Sequence, residues 1–140
     1  MEGGTISGNT CSPIVKAFNT TAAMAYATKK SDSKYGINNT EFTCKGGGVY
    51  VSGTKGSIFG KTFPGGTFRK TGGTITSYAS DPKNGNVTRD VDGNVSRNNG
   101  HAVYVEGFGK EESSKRKETT AGPEVDLFYS DGEFSGGWDE

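Results

Sequence analysis

The feature that most constrains this chain is a short apolar triplet bounded by glycines, and it occurs twice. The stretch GGGVYVSG at 46–53 returns as GHAVYVEG at 100–107. A second unit recurs as GGTIS at 3–7, GGTF at 65–68 and GGTIT at 72–76. Strands of about four residues cannot form a stable sheet alone. The chain must turn a corner after each triplet, where positive φ or a close backbone approach leaves no room for a Cβ.

Order and spacing point to stacking. From residue 46 onward the units follow the order VYV, GTF, GTI. Tyr50 and Tyr104 are 54 positions apart, and Ile6 and Ile75 are 69 apart. Removing the apparent insertions leaves about two dozen residues in each interval, the period of coil-like repeats. Apolar residues make up only 30% of the 140-residue chain, beside 23 glycines. A compact two-layer core is hard to fill with that composition, whereas a thin repetitive core suits it. Alternation along a strand then puts Val49, Val51, Val103 and Val105 inside, with Ile6 and Ile75 stacked likewise. Tyr50 and Tyr104 are expected to point outward as a two-member aromatic ladder.

The units GGGVYV, GGTF and GGTISGN resemble the right-handed parallel β-helix repeats of bacterial surface proteins, pectin-lyase-like in fold and akin to polymorphic outer-membrane-protein and autotransporter passengers. The matching stretches are 3–9, 46–53, 65–76 and 100–107, and the tail from KRKETTAGPEVDLFYS to GGWDE is similar to the closing segment of such chains. Together they cover about half the sequence. The expected fold is all-β, a short right-handed single-stranded parallel β-helix of about two coils with inserted loops and a short capping helix. The expected organisation is one domain over 1–140, the C-terminal part of a longer repeat protein. The second VYV unit departs from the pattern by carrying His101 and Ala102 where the first has Gly47 and Gly48.

Three regions leave the repeat. Residues 11–45 form an insertion or cap with Cys11 and Cys44 at its ends, a candidate disulfide that would close the excursion at its base. Within it, NTTAAMAYATKK offers Asn19 or Thr20 as N-cap and Lys29 and Lys30 at the favourable helix end. Residues 79–99 form a hairpin-like insertion around the turn Asp92-Gly93. Asp90, Asp92 and Asn94 there are a weak calcium candidate, since Val95 stands where an EF-type loop needs glycine. Residues 108–140 form a C-terminal coil and cap, with the mixed charge run at 109–118 as a polar outer strand and Trp138 folded over the coil end.

Catalytic constellations are sparse. His101 is the sole histidine, which leaves no His-based metal cluster, and it is expected at the surface. No GxSxG elbow and no GxxxxGK[ST] loop occur. The outward set Tyr50, Ser52, Tyr104 and Glu106 holds one carboxylate, whereas glycoside hydrolysis takes two. Tyr50, Tyr104 and Glu106 are the candidate ligand-binding residues. Sixteen basic and sixteen acidic residues cancel, so bulk charge implies no nucleic-acid partner. No apolar run reaches transmembrane length, so no membrane insertion by this segment is expected. No cofactor is implied.

These features lead to a non-enzymatic bacterial cell-surface segment, a structural or adhesin-like surface facing a glycan or protein of a host or cell surface. The alternative is a carbohydrate-binding or carbohydrate-active β-helix of polysaccharide-lyase or glycosidase type. Either implies an extracellular or cell-surface location, with the export signal expected upstream of Met1.

Overall fold

The computed structural model describes residues 1–12, 44–52, 56–58, 61–63, 65–90, 92–106 and 114–139. All regular structure among them is β, and none is helical. The helix expected at 19–30 lies outside the described residues. The strands are β1 (Thr5–Ile6), β2 (Thr10–Cys11), β3 (Val49–Val51), β4 (Gly56–Ile58), β5 (Lys61–Phe63) and β6 (Phe68–Lys70). They continue as β7 (Thr74–Ile75), β8 (Val87–Thr88), β9 (Val103–Val105), β10 (Lys115–Lys117), β11 (Leu127–Ser130) and β12 (Glu133–Gly136). They form five small sheets, of two or three strands each.

Three strand pairings are parallel, and two of them join like to like. Strand β1 lies beside β7 with Ile6 opposite Ile75. Strand β3 lies beside β9, with Val49, Tyr50 and Val51 opposite Val103, Tyr104 and Val105. Both registers are the ones the repeats predict. Between them β2 lies beside β8, with Thr10 opposite Val87. The three partners follow one another in the same chain order on both sides.

The β2–β8 pairing corrects the expected hairpin at 79–99, because Val87 and Thr88 belong to the body of the fold. The hairpin itself is shorter. Arg89 and Val95 bridge antiparallel across the turn, where Gly93 takes φ +85°. Asn86 explains why β8 belongs inside. Its side chain is fully buried and hydrogen-bonded at both ends. Its Oδ1 accepts from Asn9 N at 3.1 Å and Asn9 Nδ2 at 2.9 Å, while its Nδ2 donates to Ile6 O at 2.8 Å and Thr76 O at 2.7 Å. One amide thus satisfies backbone at a corner where the chain leaves strand geometry.

The glycine pair at 47–48 has an equally local cause. A Cβ at Gly47 would stand 2.6 Å from His101 O, and one at Gly48 would stand 2.6 Å from Ala102 O and 2.8 Å from Asn86 Nδ2. The unit that lies against His101 and Ala102 therefore has to be side-chain-free there.

The C-terminal stretch runs the other way. Strand β10 pairs antiparallel with β9, Ala121 bridges antiparallel to Ile75, and β11 pairs antiparallel with β6. Strand β12 folds back on β11 as a hairpin. The expectation of a final coil at 108–140 is thus corrected: its described part pairs antiparallel with β9, β6 and Ile75. Strand β4 also pairs antiparallel with β5, with Ser57 opposite Thr62.

Ile75, Val103, Val105, Leu127 and Tyr129 are completely buried where these two regions meet. Trp138 is partly buried against this core. Its ring sits edge-on to Phe68 at 6.2 Å and to Phe134 at 5.7 Å, and its Nε1 donates to Phe128 O at 3.2 Å. Lys70 is also buried, and its ammonium donates to Gly122 O and to Val125 O, the latter at 2.6 Å. Burial lowers its pKa, opposed by the charges of Asp126 and Glu124.

Candidate functional site

The predicted ligand residues come together on the outer face of β3 and β9. The Tyr50 and Tyr104 rings stack with centroids 6.1 Å apart and planes 5° from parallel. The expected outward position is corrected for Tyr104 alone. Tyr50 is 45% exposed, whereas Tyr104 is 6% exposed. Tyr104 is hemmed in on three sides: by the Tyr50 ring, by Lys45 Nζ at 5.2 Å from its ring centroid, and by β10, whose Arg116 is its register partner. The sheet neighbour that covers Tyr104 is the polar run Lys115–Lys117. Its long aliphatic stems can lie on an aromatic while the charges reach water.

Glu106 follows directly from β9 and is held by its backbone N donating to Val51 O at 3.0 Å. Its carboxylate accepts from the Tyr50 hydroxyl and from Lys45 Nζ at 3.4 Å. Burial raises the Tyr50 pKa, and the hydrogen bond to Glu106 and the charge of Glu106 raise it further. The phenol therefore stays a neutral donor, and no base is generated. Lys45, Tyr50 and Glu106 line an open groove of about 380 Å³ together with Cys11 and Cys44. Sequence reasoning found Tyr50, Glu106 and the two cysteines but missed Lys45. Its proximity to Cys44 was the available signal.

The two cysteines are brought together, yet both are free thiols. Their side chains share a hydrogen bond. Burial pushes the Cys44 thiol up to about 12, with further contributions from that hydrogen bond and from Cys11 charge.

The calcium candidate does not assemble. Asp90 Oδ1 accepts from Asp92 N at 2.9 Å and Asn94 N at 2.8 Å, and its Oδ2 accepts from Asn94 Nδ2 at 3.2 Å. The carboxylate closes its own turn, an Asx-type arrangement, so its oxygens serve the loop. No cluster of three or more metal-ligating side chains occurs among the described residues.

His101 is 5% exposed, which corrects its expected surface position. Its Nδ1 lies 3.2 Å from both Thr88 N and Thr88 Oγ1, and its Nε2 lies 3.5 Å from Glu118 Oε2. Because a backbone N–H can only donate, Nδ1 is the acceptor and Nε2 carries the proton. Burial lowers the His101 pKa, opposed by the Glu118 charge and by Ser96. Thr88 is fully buried beside it, so this Thr–His–Glu chain joins β8 to the C-terminal stretch.

No family profile, no curated protein and no solved structure matches this chain.

Proposed function

We propose that this chain is a short right-handed parallel β-helix segment of a bacterial cell-surface protein, serving as a non-enzymatic, structural or adhesin-like interaction surface. The observation that carries this reading is the like-on-like parallel pairing of repeated units in one chain order, Ile6 beside Ile75 and Tyr50 beside Tyr104. The Asn86 amide, buried between successive layers at a corner, supports it as well. Among the residues lining the groove Glu106 is the one carboxylate, and Tyr50 and Lys45 already occupy it. Glycoside cleavage takes two carboxyl groups roughly 5–9.5 Å apart, so the groove suits binding better than turnover. Its partner would be a glycan or protein outside the cell. Incubation with a panel of polysaccharides should release no oligosaccharide. Release that disappears in Glu106→Gln would overturn the reading.

A carbohydrate-binding role is the second reading, favoured by the exposed Tyr50 ring next to a carboxylate and an ammonium. An aromatic face with polar groups at its edge suits the apolar face and hydroxyls of a sugar. Binding on a glycan array that falls at least tenfold in Tyr50→Ala would support it. Binding unaffected by that substitution would place the ligand elsewhere.

A further inference from the structure

Cys11 and Cys44 are separated by 32 residues in sequence and are neighbours in the fold. Each is anchored on its own side. Cys11 ends β2 opposite Thr88, and its carbonyl accepts from Arg89 N at 2.9 Å. Cys44 leads into Lys45 and Gly46, where Gly46 N donates to Asn99 O at 2.8 Å and Gly47 N to Gly100 O at 3.0 Å. Two independent backbone attachments thus bring the sulfurs together at the edge of the groove, as half-buried thiols in contact. A disulfide tolerates little misplacement of the backbones that carry it, and here both are already set.

We propose that Cys11 and Cys44 are an intramolecular disulfide pair, closed by exchange with a small disulfide such as glutathione disulfide. The Cys11 thiolate attacks one sulfur of glutathione disulfide, forms a mixed disulfide and expels one glutathione thiolate. Cys44 holds its proton until then, and capping Cys11 removes both the hydrogen bond and the charge that help hold it. Cys44 then loses its proton to the expelled thiolate, attacks the Cys11 sulfur and releases the second glutathione. Two protein thiols lose two protons and two electrons, and one glutathione disulfide becomes two glutathione thiols. The bond also secures Lys45, the next residue, over the Tyr104 ring and against Glu106. The proposal does not depend on what the groove binds.

The test equilibrates the whole chain with glutathione disulfide, quenches with acid and alkylates. The expected product is lighter by two hydrogen atoms, resists alkylation and yields a peptide joining Cys11 to Cys44. Its thermal midpoint should lie about 10 °C above that of the reduced chain. Cys44→Ala should instead retain a lasting glutathione adduct on Cys11, which keeps the test decisive even if a double variant fails to fold. Two alkylatable thiols, a disulfide between two chains, or a bridged chain that melts below the reduced one would each overturn the proposal.

Discussion

Strand β9 lies between two neighbours of opposite kind. On one side β3 repeats its Val-Tyr-Val triplet and runs parallel. On the other, β10 offers Lys-Arg-Lys and runs antiparallel. Strand β7 repeats the contrast, with Ile6 parallel on one side and Ala121 antiparallel on the other. The parallel side is held by identity: equal side chains meet in register in β1–β7 and β3–β9, and the Asn86 amide ties Ile6, Asn9 and Thr76 together. The antiparallel side is held by adaptation: a polar strand pairs with an apolar one, a buried lysine gathers carbonyls, and aromatic rings pack together. Register on the first side therefore depends on a few irreplaceable small or amide groups, and on the second it is spread over many contacts.

If that contrast is right, substitutions at the parallel corners should cost most. Gly48→Ala forces a Cβ against Ala102 O, Asn86 and Ile75, and should lose about 4 kcal/mol in denaturant unfolding. Gly3→Ala, with open space around it, is its control and should change stability by less than about 0.5 kcal/mol. Equal losses in the two would break the comparison. Asn86→Ala removes a buried amide that bonds Asn9, Ile6 and Thr76 and should cost about 3 kcal/mol. Lys70→Met tests the other side. It leaves the Gly122 and Val125 carbonyls without their donor but removes a buried charge, so about 2 kcal/mol is expected.

The smallest effect concerns pH. Burial holds the folded His101 pKa below its ordinary value of 6.5, so the unfolded chain binds the proton more readily. The contribution is therefore intact above 6.5 and is lost progressively as pH falls from there toward the lower folded value. Glu118, Thr88 and Tyr78 face the ring, and of these Glu118 opposes the trend. Thermal melts from neutral to mildly acid pH should show a decline that vanishes in His101→Asn. A decline that persists in that variant would assign it to other groups.

The parallel half was legible because its signals are local and repeated. Glycine-bounded triplets fix both strand and corner, and copies align without knowledge of the remaining chain. One copy escaped notice: Gly8-Asn9-Thr10 and Gly85-Asn86-Val87 share their first two residues, yet the Asp92-Gly93 turn drew Val87 into a hairpin arm. The antiparallel half was not legible, because nothing in Lys-Arg-Lys or Leu-Phe-Tyr-Ser encodes direction. Direction there is decided by where the chain can turn and what it can cover. The same gap explains Tyr104 and His101. Both lie on strands or corners read correctly, and both are buried by a segment whose path the sequence did not disclose. The candidate site was half legible for that reason: Tyr50 and Glu106 belong to the repeat, whereas Lys45 enters from the edge of the excursion.

The glycine pair at 47–48 also limits how such a molecule could lengthen by copying its own units. A duplicate of the first unit, set over the original, would meet side-chain-free backbone and fit. A duplicate of the second, substituted into the first position, would drive the Cβ atoms of a histidine and an alanine to within 2.6 Å of two carbonyl oxygens. The two units are therefore not interchangeable modules. Their order is written into the packing itself, and recombination between them could proceed in only one sense.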